Sequence, residues 1–202
     1  MLFSLIMTQA CSKKVITRRY YVLDSPSTAD SLMNIKPLTN AICEILPVSV
    51  PPAYAQHRIA VRKRSHEINY YHNHQWAESP DQNIARLIQK SLESAQIFAR
   101  VSDRIWTVAP RYQLNTFINH IEAIEGEDSL FAHISVELEI RDRTTNKVIV
   151  MHSFDRQLGY EDWDLNLLSQ GMSIILQEEI GSFADKIRVH LVAQPEQTNS
   201  GL

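Results

Sequence analysis

Glycine is scarce in this chain, with five in 202 residues and no two close together. That excludes a glycine-rich phosphate cradle, which needs clustered glycines to bring backbone N–H groups onto the anion. No Gly-x-Ser-x-Gly elbow occurs either, so the usual signature of a serine hydrolase is missing. Cysteine is scarcer still. Cys11 and Cys43 are the only two, too few for a disulfide framework or a finger-type metal site. No window approaches the roughly 20 continuous apolar residues of a membrane-spanning helix. Neither sign of charge dominates. The net charge is -3, and the one basic run, Arg62-Lys63-Arg64, is too short for a polyanion groove, so no nucleic-acid partner is expected.

What remains is the composition of a folded domain: 44% apolar and 21% charged, in a chain long enough for one domain with a proper core. The N-terminus stands apart. "MLFSLIMTQAC" places an apolar run, Leu2 to Met7, ahead of a small residue, Ala10, and then Cys11. That order is the end of a secretory lipoprotein signal. The small residue admits the peptidase, and the thiol accepts a diacylglycerol as a stable thioether. The run lacks a preceding Lys or Arg, and Thr8 stands where such signals usually carry Leu. An ordinary apolar N-terminus with an inert thiol is the alternative. If Cys11 carries lipid, Cys43 is left as a small buried thiol in "AICEILPVSV"; a Cys11–Cys43 disulfide is the other reading.

Residues 17–24, "TRRYYVLD", read as a first strand, and 25–40 as a turn-rich connection. A second strand over 41–54 is expected to stop at Pro51-Pro52, because proline cannot donate to a ladder. Residues 57–76 read as two short strands, with Ile59 and Val61 on one face and Arg58, Arg62 and Arg64 on the other. Then the period changes. Ser79-Pro80-Asp81-Gln82 is a helix start, and Ile84, Leu87, Ile88, Leu92 and Ala95 form one stripe of a helix of about 18 residues.

Three long strands follow, at 111–124, 129–143 and 147–158, the last two joined by the hairpin turn "RTTN". In 129–143, Ile134, Val136, Leu138 and Ile140 face in and Ser135, Glu137, Glu139 and Arg141 face out. A second helix runs from about Asp164 to Leu191, with Gly171 and Gly181 inside it. The expected fold is α+β: a mainly antiparallel sheet with two amphipathic helices packed on one face. The segments are an anchor and tether at 1–16, one domain at 17–191, and a polar flexible tail at 192–202.

The chemistry-bearing candidates are few. His72 and His74 share a face if their strand alternates, but two imidazoles fall short of a zinc site and no third ligand is apparent nearby. Glu161, Asp162 and Asp164 could hold a cation or act as paired carboxylates. Acids at this position also favour the positive end of the helix that follows. No catalytic constellation, metal site or cofactor is expected.

"YYVLD", "ILPVSVPPAY" and "RIAVR...EINYYHNHQWAESPDQNIARLI" together carry a family pattern. A Tyr-rich first strand, a Pro-x-Tyr segment and a basic–apolar strand lead through His74-Gln75-Trp76-Ala77-Glu78 directly into a helix. Over about 17–191 the chain resembles the ABC-type transport auxiliary lipoproteins, the group that includes the paraquat-inducible lipoprotein component. The resemblance implies a periplasmic domain anchored to the inner leaflet of the outer membrane through acylated Cys11, with Ser12 compatible with that sorting. It implies an accessory, non-catalytic role in a lipid-transport system with an inner-membrane ABC transporter and a mammalian-cell-entry (MCE) domain protein as partners. A homo-oligomer is open. The alternative role is a carrier that itself holds acyl chains. Docking needs aromatic anchors, and Tyr70, Trp76 and Trp163 are the candidates for partner contact. For Trp76 the preferred reading is structural, packing where the strand meets the first helix.

Overall fold

The computed structural model describes residues 17–24, 36–104 and 108–193. Cys11, Ser12 and Trp106, and most of the expected tail, lie outside them. The described residues form β1 (Arg19–Tyr21), β2 (Thr39–Ile45), β3 (Arg58–Arg64), β4 (Glu67–Trp76), α1 (Pro80–Ser94), β5 (Phe98–Ser102), β6 (Tyr112–Glu125), β7 (Leu130–Asp142), β8 (Lys147–Tyr160) and α2 (Leu165–Ala193).

β6 is the spine of the sheet. One edge pairs along its length with β7, which pairs in turn with β8, both antiparallel. The other edge is shared. Its first residues, Tyr112 to Leu114, take β2 in parallel, and its last, Glu122 to Ile124, take β3 in parallel. From there the sheet forks into a β2–β5 arm and a β3–β4–β1 arm. The fold is α+β as expected, but the sheet is mixed. The long ladders are antiparallel, and short parallel pairings join β1 to β4, β2 to β5 and β6, and β3 to β6.

Several boundaries depart from the sequence pattern for identifiable reasons. β2 ends at Ile45, well before Pro51, because Pro47 already interrupts donation; only Ser49 makes one further bridge, to Phe117. α1 has 15 residues and stops where Gln96 takes a left-handed φ of 51°. Ser79 is the N-cap residue without a side-chain capping bond; Glu78 Oε2 instead accepts from Asn83 Nδ2 at 2.9 Å and Arg86 Nε at 3.2 Å. β5 was not foreseen: its five residues follow the helix directly, and only Phe98 and Val101 of it are buried.

The helix stripes are as expected save at one position. Ile84, Leu87, Ile88 and Leu92 of α1 are buried, and so are Leu165, Leu168, Met172, Ile175, Leu176, Phe183 and Ile187 of α2, whereas Ala95 is the C-cap of the shorter α1 and half-buried. α2 lies against β7 and β8, α1 against β5 and β6, and the helices touch each other. Neither glycine breaks α2. Gly171 lets the Tyr160 ring pack close, since a Cβ there would meet Tyr160 Oη at 2.5 Å. Asp164 Oδ1 accepts from the Asn166 N–H at 2.8 Å, an N-cap bond, and so accounts for one acid of the Glu161–Asp164 group.

The opposite face of the sheet is not uniformly wet. His133 and Ser135 of β7, expected to be solvent-facing by parity, are buried, as is Glu122 of β6. Tyr54, carried by the turn after Pro52, is 5% exposed and donates to Glu122 Oε2 at 2.8 Å. Arg62, expected on the wet face of β3, is drawn into this group.

Candidate docking surface

β1 is three residues long and would be marginal on its own. The residues that follow it, Val22 to Asp24, are held by side chains from both helices. The Leu23 N–H donates to Asn83 Oδ1 of α1 at 3.0 Å, Ser169 Oγ of α2 donates to the Val22 carbonyl at 2.7 Å, and the Asp24 N–H donates to Ser173 Oγ at 3.1 Å. The Ala77 N–H donates to the Tyr21 carbonyl at 2.8 Å and closes the strand onto the β4–α1 corner. Asn83 is a polar residue on the buried face of an amphipathic helix, and this fixing of the residues after β1 is its reason.

β1 and the residue after it present Tyr20 and Val22 outward, 59% and 46% exposed. Across a groove of about 550 Å³ lie Gln170, Ser173 and Ile174 of α2, with Ile174 40% exposed. Trp163, in the turn between β8 and α2, is 56% exposed and meets the Tyr71 ring edge-on, with ring centroids 5.5 Å apart. Tyr71 also meets His74 edge-on at 5.9 Å, and His74 stacks on Tyr21 at 5.7 Å with Tyr21 Oη and His74 Nδ1 hydrogen-bonded at 2.8 Å. Burial first, and the Arg19 charge second, hold His74 below the usual imidazole range, so its neutral form is favoured.

The aromatics singled out from the sequence therefore separate. Trp76 is 3% exposed; its backbone N–H donates to the His57 carbonyl at 2.6 Å, and its own carbonyl lies 3.1 Å from His57 Nδ1. In this conformation it packs the strand-to-helix corner and has almost no surface for a partner. Tyr70 is half-buried: its hydroxyl donates to the Ala53 carbonyl at 3.0 Å and Arg58 sits 4.9 Å over its ring. Trp163 alone of the three is largely exposed. Tyr20, Val22 and Ile174 were not foreseen. Ile174 could have been, since it is a large aliphatic residue off the apolar stripe of α2.

His72 and His74 do not act as a pair. A register shift in the β3–β4 ladder, between Arg58 and Ala60, breaks the simple alternation of β4; His72 is exposed while His74 is engaged with Tyr21 and Tyr71. Among the described residues a grouping of potential metal ligands lies elsewhere, at His120, His133 and Asp155, whose ligand atoms all lie within 4.8 Å of one another. His133 Nδ1 lies 3.2 Å from Glu122 Oε1 and its Nε2 lies 2.9 Å from Asp155 Oδ1. Glu122 also accepts from Arg62 Nε at 2.8 Å and Arg62 Nη2 at 3.0 Å. Burial alone would raise the Glu122 carboxyl; the bonds from His133, Arg62 and Tyr54, with the Arg62 charge, outweigh it and hold the group at about 2.

Comparison with known proteins bears on the whole domain. The family model described as "ABC-type transport auxiliary lipoprotein component" matches residues 21–177. Among solved structures the chain is similar to protein XCC0632 from Xanthomonas campestris, at 16% identity and a TM-score of 0.70, covering 87% of this chain and 97% of that one. It is also similar to CT253 from Chlamydia trachomatis, at 12% identity and a TM-score of 0.50, covering 78% and 100%. No curated protein sequence matches it. At these identities the structures speak to the fold. The family match spans more than half of the chain, from the end of β1 into α2, and the chain belongs to the ABC-type transport auxiliary lipoprotein component family.

Proposed function

We propose that this chain is a non-catalytic docking subunit of an ABC/MCE-type lipid-transport system. In this reading it stands in the periplasm, is held to the inner leaflet of the outer membrane by acylated Cys11, and meets an MCE-domain protein. The observation that carries the reading is the family match over residues 21–177. The surface that suits docking combines Trp163, Tyr20, Val22 and Ile174, and the Val22–Asp24 backbone beside it is pinned by Asn83, Ser169 and Ser173. Exposed aromatics on a rigid support lose little conformational entropy on binding, which is what an interface anchor requires.

The test is photo-crosslinking in intact envelopes, with a benzophenone amino acid at Tyr20 or Trp163 and at Val189 as the control. Val189 is 69% exposed near the far end of α2. Adducts to the MCE-domain protein from the first two positions and not the third support the reading; equal adducts from all three, or none, refute it. Trp163→Ser is expected to weaken capture about 30-fold, the loss of about 2 kcal/mol at a single anchor. Radioactive fatty acid is expected to label the native chain and not Cys11→Ala. Lipid recovered stoichiometrically by organic extraction of purified protein would favour the carrier reading instead.

A further inference from the structure

Three adjacent strands each place one potential metal ligand on the outer face of the sheet: His120 from β6, His133 from β7 and Asp155 from β8. His120, Ser135 and Asp155 are direct cross-strand partners in one row, and His133 stands in the next row opposite Glu122. This arrangement depends on a β-bulge. Ile118 pairs with Val136, but Ser135 takes His120 rather than Asn119, so Asn119 is the additional residue. In an unbroken ladder Asn119 would point outward and His120 would turn toward the apolar side of the sheet. The bulge re-aims His120 onto the face that carries Glu122 and His133, the use to which bulges beside sites are commonly put.

Two further observations point to a ligand. His120 Nδ1 is buried and has no hydrogen-bond partner among the described residues, an uncommon state for a buried ring nitrogen. His133 is oriented by a carboxylate behind it: Glu122 accepts from Nδ1, and Nε2 is thereby aimed at Asp155. Glu122 is itself held by Arg62 and Tyr54. A histidine fixed through its far nitrogen by a hydrogen-bonded carboxylate is the usual second layer of a metal site.

We propose that His120, His133 and Asp155 bind a divalent first-row transition-metal ion of the zinc class, with Glu122 as the positioning residue that acts through His133. Two imidazoles and one carboxylate suit such an ion; calcium or magnesium would want oxygen ligands throughout. Three protein ligands leave a fourth position for water, on the side where Asp155 is 63% exposed. Tetrahedral bonds of about 2.0–2.1 Å put ligand atoms about 3.3 Å apart, so the cluster closes by at most roughly 1.5 Å through side-chain rotation. The ion replaces the Nε2–H···Asp155 bond, and the Nε2 proton passes to solvent. This site is independent of the docking surface and of the family's transport role.

The experiment uses chelator-treated protein without a histidine tag, titrated with zinc chloride by calorimetry and with cobalt chloride by visible absorption. One equivalent of zinc and a tetrahedral cobalt spectrum are expected. Asp155→Asn, at a largely exposed position that leaves the fold intact, weakens zinc binding at least tenfold and alters the cobalt bands. Glu122→Gln weakens it about 10- to 100-fold, and a His72→Gln/His74→Gln double variant leaves it unchanged. Circular dichroism melts of the metal-free variants separate lost binding from lost folding. Failure of the native chain to take up zinc, or equal uptake by a folded Asp155→Asn or His120→Gln, overturns the proposal.

Discussion

The Arg62–Glu122 pair permits a quantitative test of how the outer face of the sheet is held. The Glu122 side chain is 1% exposed and that of Arg62 21% exposed. Arg62→Met leaves a buried carboxylate whose donors among the described residues are Tyr54 and His133. Breaking a buried pair from one side costs about 3–5 kcal/mol, and the partial exposure of Arg62 places this one near about 3 kcal/mol. In a domain of this size that is a fall in Tm of about 6–12 °C. Glu122→Gln removes the charge but keeps the volume, and its amide N–H₂ faces donors; about 2–3 kcal/mol is expected. The double variant has neither a stranded charge nor a strong pair, so it costs less than the sum by about 1–3 kcal/mol. Urea denaturation of metal-free protein, followed by tryptophan fluorescence with m-values checked for constancy, measures all four corners. A coupling energy below about 0.5 kcal/mol, or a loss for Arg62→Met of under about 1 kcal/mol, refutes the argument that this pair is desolvated and interdependent.

Three further outcomes are expected. Gly181 is helical with nothing within 4 Å of where a Cβ would stand, so Gly181→Ala raises stability by about 0.5–1 kcal/mol, whereas Gly171→Ala lowers it by displacing Tyr160; melts that rank the two variants the other way contradict this. His74 titrates below its unfolded value of about 6.5, so the unfolded chain binds more protons between the two. Its contribution to stability is complete above that value and declines as pH falls through 6.5 toward the folded pKa. The stability difference between native chain and His74→Gln between pH 7.5 and 5.5 isolates it from His133, which is raised by Glu122 and Asp155 against the effect of burial and acts with the opposite sign; a difference independent of pH contradicts it. Cys43 is 0% exposed and its thiol is pushed up to about 12 by burial and then by Glu44. In a Cys11→Ala chain, iodoacetamide at pH 8 should modify it only after denaturation, and rapid modification of the folded chain contradicts its burial.

The amino-acid pattern alone determined both helices and their buried stripes, the three long strands and the hairpin at Asn146, because these are set by side-chain period and turn chemistry within a few residues. It also determined the family, through the run from Tyr70 to Pro80 and the strands before it. Tertiary structure decided the rest. Period reports which face of a strand is apolar but not what covers the other face, so Arg62, Glu122 and His133 became an internal network only once the turn carrying Tyr54 closed over them. Cross-strand partners are non-local: the fork of the sheet at β6, the parallel docking of β1 on β4 and the bulge that turns His120 outward follow from pairing between distant segments. Likewise Trp76 and Trp163 are the same residue type in similar polar surroundings along the chain. Only packing against His57 and the β4–α1 corner buries the first and leaves the second facing solvent.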